Sequence, residues 1–137
     1  MTYLLDTNVI SELVKPRRAA SVLDWLEAHR TAELWISIIT VGELRRGVAK
    51  LRHRNDHVQA EVLEGHITEL EARFADYALP VTIEVARVWA TLGLTQPISP
   101  ADGLIAATAI VHGLTLITRN VRDFASTPVV VADPFVG

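Results

Sequence analysis

Five residues carry oxygen donors at places where a fold can gather them: Asp6, Glu43, Asp102, Asn120 and Asp123. Asp6 ends the apolar run Tyr3-Leu4-Leu5. Glu43 closes Thr40-Val41-Gly42-Glu43, which reads as a capping box opening a helix. Asp102 follows Ser99-Pro100-Ala101, with Ser as N-cap and Pro at the first helical position. Asn120 and Asp123 trail the apolar run Leu114–Thr118. Singly, each has a plain explanation. Glu43 and Asp102 suit the positive end of a helix, and Asp6 and Asp123 suit turns. Together they do not, because carboxylates sharing a partly buried cleft repel one another and resist ionising. A divalent cation removes that cost, and hard oxygen donors in this number suit Mg²⁺ or Mn²⁺.

The elements between these residues must bring them together. Tyr3–Leu5, Leu34–Ile38, Leu79–Val81, Leu114–Thr118 and Val129–Val131 are short apolar strands. Thr7 and Asn8 read as caps of a short helix that Pro16 ends. Val22, Trp25, Leu26 and His29 mark one helix face within Ala19–Arg30. A helix over 57–74 sets Val58, Val62, Leu63, Ile67, Leu70 and Phe74 on its apolar side, and another spans Thr82–Leu94. The stretch Leu104–His112 is apolar nearly all round, so it should be buried, with Gly113 as its C-terminal stop. Strands alternating with helices predict one domain over 1–137, an α/β/α sandwich with a mostly parallel sheet. Ligands of such sheets bind beyond the carboxyl ends of the strands. That edge receives Asp6, Glu43, Asn120 and Asp123, and the buried helix can bring Asp102 to it.

Composition narrows the chemistry further. The chain has no cysteine, which excludes disulfides, thiolate metal sites and a cysteine nucleophile. A net charge of −3 excludes a bulk-basic nucleic-acid binder, so nucleic acid must be met by local patches. Asp6 interrupts the start too early for a secretory signal, and Leu104–Val111 is too short to cross a bilayer, so a cytoplasmic location away from membranes is expected. Between Thr40 and Arg54 the bases Arg45, Arg46, Lys50, Arg52 and Arg54 face a single acid, whereas Asn55–Asp76 is acidic. Two helices paired by charge explain that pattern, and so does a basic patch flanking a polyanion site. His53 and His57 lack a third ligand nearby, and Trp25, Trp35 and Trp89 sit on apolar faces expected in the core.

The segments that carry the acids also resemble a known family. Asp6-Thr-Asn-Val-Ile-Ser-Glu-Leu13, Ile39-Thr-Val-Gly-Glu-Leu-Arg-Arg-Gly-Val48, Pro100-Ala-Asp-Gly-Leu-Ile-Ala-Ala-Thr-Ala109 and Thr118-Arg-Asn-Val-Arg-Asp-Phe124 look like the four motifs of PIN-domain proteins. The match is nearest the VapC-type toxins of bacterial toxin–antitoxin pairs. The resemblance implies a Mg²⁺- or Mn²⁺-dependent endoribonuclease that leaves a 5′-phosphate and a 3′-hydroxyl. It also implies a cognate antitoxin as partner, a homodimer, and contact with DNA only through that antitoxin. The family's acidic positions fall on Asp6, Glu43 and Asp102. The departure is Asn120, where some relatives carry an acid; here the acid comes three residues later, at Asp123.

In such an enzyme, Asp6 and Asp102 with Asp123 or Asn120 hold the ion that polarises the scissile phosphate. Glu43 orients a water, accepts its proton or helps hold a second ion. Thr7, Asn8 and Thr118 are expected to fix the carboxylates. Arg45, Arg46, Arg119 and Arg122 are candidates for RNA phosphates, with surface solvation as the plain alternative. Two rival readings remain. Another Mg²⁺-dependent phosphohydrolase fits less well, since the Asp-nucleophile type wants an acid where Asn8 stands. A non-catalytic module would use the cleft and the 57–74 helix only to dock a partner.

Overall fold

The computed structural model describes residues 1–15 and 17–135, so the stop expected at Pro16 lies outside the described residues. In chain order the elements are β1 (Tyr3–Leu5), α1 (Thr7–Leu13), α2 (Ala20–Glu27), β2 (Leu34–Ser37), α3 (Ile38–His53), α4 (His57–Arg73), β3 (Ala78–Leu79), α5 (Ile83–Trp89), α6 (Pro100–His112), β4 (Thr115–Ile117) and β5 (Val131–Ala132). Alternate residues of each strand feed opposite faces of the sheet. Leu5, Leu34, Ile36 and Ile117 join the core under α1–α4, while Leu4, Trp35 and Leu116 join the core under α6. The strands pair in the order β3-β2-β1-β4-β5, every pair parallel. The α/β sandwich expected from the alternation of elements is the fold observed. β1 is central, so the residue that follows it emerges between the ends of β2 and β4.

α6 is the helix the sequence describes. Ser99 Oγ accepts from Asp102 N at 3.2 Å, Pro100 opens the helix, and Gly113 closes it at φ 64°. Glycine adopts that left-handed conformation with the least strain. Ile105, Ala106, Ala107 and Ala109 are all fully buried.

Four local expectations are corrected. The helix of Glu43 begins three residues before the expected box: Ser37 Oγ caps it by accepting from Ile39 N, and Thr40 lies inside α3. α1 is capped by Asp6, which accepts from Thr7 N at 2.8 Å, so Thr7 and Asn8 are helical rather than caps. Val58 and Val62 are exposed, because the first turns of α4 present Ala60 inward, whereas Ile67, Leu70 and Phe74 are buried as expected. α5 stops at Trp89, short of Leu94; Gly93 follows at φ 72°, and Trp89 is 40% exposed, resting against Gly103 of α6 rather than inside the core.

The charge pattern of 40–76 is settled by the α3–α4 pair. Arg45 grips both carboxylate oxygens of Glu71 and reaches Glu64, and Arg52 binds the other oxygen of Glu64. Arg45, a candidate for RNA phosphates by sequence, is therefore a helix–helix clasp whose guanidinium is already engaged within the protein. Among the described residues, no helix is long and apolar enough to cross a membrane.

Candidate active site

Asp6 and Asn120 follow strand ends, Glu43 lies in the helix that follows β2, and Asp102 comes from the first turn of α6. Asp6 leaves β1 and is 4% exposed. Thr118 leaves β4 and is fully buried, and its hydroxyl donates to Asp6 Oδ2 at 2.7 Å. That hydroxyl has one proton to give and two lone pairs. It accepts from Asn8 Nδ2 at 3.2 Å and from Asn120 N at 3.1 Å, so its bonding capacity is filled. Asn8 Oδ1 in turn accepts from Arg119 N at 3.2 Å, stapling α1 to the loop after β4. Asp6 thus has a donor on each carboxylate oxygen, Thr7 N on one and Thr118 on the other.

Thr7 performs the matching task toward α3. Its hydroxyl donates to Glu43 Oε1 at 2.6 Å and lies 3.0 Å from Thr40 Oγ1. Since Thr7 has given its proton to the carboxylate, Thr40 must donate to Thr7. The sequence reading gave Thr40 a capping role and no place in the site. The available signal was its spacing of three from Glu43, which sets both on one helix face.

Asp6, Thr7, Asn8, Ser11, Glu43, Asp102 and Asn120 line an open pocket of about 300 Å³. Asp123 lines a neighbouring cleft with Asp102 and Ser99, so Asp102 is the wall between the two. Asn120 therefore faces the pocket of Asp6 and Glu43, while Asp123 approaches Asp102 from the other side. Arg46 and Arg122 are exposed and line neither space; Arg119 is also exposed.

The electrostatics follow from this crowding. Burial pushes the Asp6 carboxyl up to about 6; the bonds from Thr118 and Thr7 oppose the rise, and the nearby charges of Asp102 and Glu43 add to it. Asp102 is raised as well, chiefly by burial, with Ser99 opposing and Glu43 and Asp123 reinforcing. Among the described residues, no three Asp, Glu, His or Cys side chains form a ready-made metal cage. The pocket is instead an open rim of oxygen donors with unrelieved negative charge.

A parallel α/β sheet with paired carboxylates beyond the end of its central strand defines the class. The chain belongs to the PIN-domain family, whose profile matches residues 3–130. It is 40% identical to Toxin FitB of Neisseria gonorrhoeae, over 96% of this chain and 97% of that one. It is 36% identical to VapC ribonuclease Y4jK of Sinorhizobium fredii, over 96% of each. Among solved structures, FitAB bound to a DNA fragment contains a chain that superposes with a TM-score of 0.87 at 35% identity, covering 98% of this chain and 96% of that one.

Proposed function

We infer that this protein is an endoribonuclease toxin of a toxin–antitoxin pair, dependent on Mg²⁺ or Mn²⁺. One observation carries the metal reading: Asp6 is nearly buried beside Asp102 and Glu43, with its carboxyl displaced to about 6. Such a cluster is costly when empty of cations and favourable around one. The donor set fits, since Mg²⁺ takes one or two carboxylates directly and keeps several waters, so no complete protein cage is required. Asp6 and Asp102 would hold the ion, with Asn120 as a neutral oxygen donor and Asp123 behind Asp102. Bound there, it would supply charge to a scissile phosphate and acidify a water.

The chain's own contribution is positional. Thr118 and the Thr7 amide aim the two Asp6 oxygens, and they keep that carboxyl lower than burial alone would leave it. Thr7 pins one oxygen of Glu43, and among the described residues its other oxygen accepts no hydrogen bond. Glu43 is thereby set to take a proton from an attacking water at the pocket's edge. Cleavage of RNA fits the ribonuclease and toxin names of the relatives. A cognate antitoxin partner, with DNA reached only through it, fits the DNA-bound FitAB assembly. A cytoplasmic homodimer belongs to the same reading.

The test is a Mn²⁺ titration by calorimetry on the antitoxin-free chain, followed by incubation with total bacterial RNA. Saturable binding and Mn²⁺-dependent cleavage, both lost in Asp102→Asn, are expected. A folded chain that binds Mn²⁺ without cutting RNA would leave another phosphohydrolase; one that binds no metal would leave a docking module.

A further inference from the structure

The segment after β5 returns to the site. β5 leads through Asp133 and the buried Pro134 to Phe135, which packs against the core beneath α1–α4. Two hydrogen bonds fix it there. Phe135 N donates to Asp133 Oδ1 at 2.7 Å, and Ser21 Oγ donates to the Phe135 carbonyl at 3.4 Å. The ring so placed lies under a cation: Arg119 Cζ is 3.7 Å from its centroid. Arg119 is one residue from the pocket-lining Asn120, and its amide is held by the pocket-lining Asn8.

An arginine stacked on an aromatic ring has its plane fixed while its N–H groups point outward along the edge. Among the described residues Arg119 takes part in no salt bridge. The acid whose charge it feels, Glu12, is already bound to Lys15 and to the Ala19 amide. The guanidinium is therefore ordered, exposed and beside a pocket that repels anions. A phosphate chain approaching carboxylates needs such a counter-charge, and pre-ordering it removes an entropy cost of binding.

We propose that Phe135 is a positioning residue that holds Arg119 as a backbone-phosphate contact for RNA at the rim of the acidic pocket. The proposal rests on the ribonuclease reading. Phe135 touches no substrate; it acts through the arginine.

The probe is a fluorescein-labelled, mixed-sequence, 20-nucleotide single-stranded RNA, followed by anisotropy in Mg²⁺. Every variant carries Glu43→Gln, which slows hydrolysis and keeps Asp6 and Asp102. Phe135→Leu and Arg119→Lys should each weaken binding about two- to fivefold, the size of an exposed cation–π contact. Phe135→Trp should restore the starting affinity. Arg119→Gln should lower the slope of log affinity on log salt by about 0.7, the signature of one lost phosphate on a single strand. Adding Phe135→Leu to Arg119→Gln should then cost nothing more. Melting curves report whether Phe135→Leu is folded, and Arg119→Lys tests the stack without touching the core. Full affinity in Arg119→Lys, or a Phe135→Leu loss that persists without Arg119, overturns the proposal. A folded Glu43→Gln chain that binds no RNA overturns the ribonuclease reading along with it.

Discussion

The rim of the pocket and the α3–α4 clasp are both dense in carboxylates, and they treat them oppositely. In the clasp, Glu71 takes two bonds from Arg45 and its carboxyl is lowered by them. At the rim, Asp6 and Asp102 meet hydroxyls, amides and one another, and both carboxyls are raised. The clasp is complete within the protein. The rim is assembled with great care for direction, each oxygen of Asp6 having its donor, yet its charge is left uncancelled. Spending buried hydrogen bonds on orientation while leaving charge unpaired suits a site awaiting a cation; charge pairing alone suits a scaffold.

The contrast is sharpest in activity. Asp6→Asn and Asp102→Asn should each lower RNA cleavage by about 100-fold or more and Mn²⁺ affinity by about tenfold or more. Glu71→Gln should leave both within about twofold, and a comparable loss there would erase the distinction between rim and clasp.

Stability against pH separates them next. Because folding raises Asp6 from its ordinary 3.8 to about 6, the folded state holds the proton more tightly than the unfolded chain. The metal-free protein should therefore be most stable, as far as this group decides, below about pH 4. It should lose about 3 kcal/mol as the pH rises through about 6. Urea melts in chelator across that range check the sign, and Asp6→Asn should flatten the profile and raise stability at pH 7. A Glu71→Gln chain should keep the slope.

Smaller effects follow from single partners. Thr118→Val removes a donor from Asp6 and an acceptor from both Asn8 and the Asn120 amide, which should cost about 1–3 kcal/mol. Thr118→Ser keeps the hydroxyl and should recover most of it in the same melts. Arg45→Met should cost only about 0.5–1 kcal/mol, since both partners of that pair are a third exposed, and the loss should shrink in high salt.

Much of the rim is readable in the chain because it obeys the alternation of elements. An acid directly after a strand, and another three residues after a helix cap, can be located before any packing is known. The parallel sheet follows from the same alternation. What escapes is decided by pairwise choices among equals. Ser37 and Thr40 are both sound caps by type; Ser37 is the one that accepts from the helix, while Thr40 lies inside α3 with its hydroxyl turned to Thr7, a partner 33 residues distant. Arg45 and Arg46 are equivalent as letters, and only the rotation of α3 against α4 gives one to Glu71 and leaves the other exposed. Val58 and Val62 fit the same apolar stripe as Ile67 and Leu70, yet only the latter two are buried, and Ala60 takes the inward place in the first turns. Phe135 reads as a hydrophobic residue near the chain's end, and no local pattern ties it to Arg119.

The bond from Thr118 to Asp6 spans 112 positions, with the first strand waiting at the centre of the sheet for the fourth. During synthesis, Asp6, Glu43 and Asp102 are all made before the hydroxyl that aims the first of them, and Phe135 is made later still. A chain interrupted before Thr118 thus carries all three acids without the hydroxyl that aims Asp6, so orienting the rim is a late step of folding that joins residues 112 positions apart.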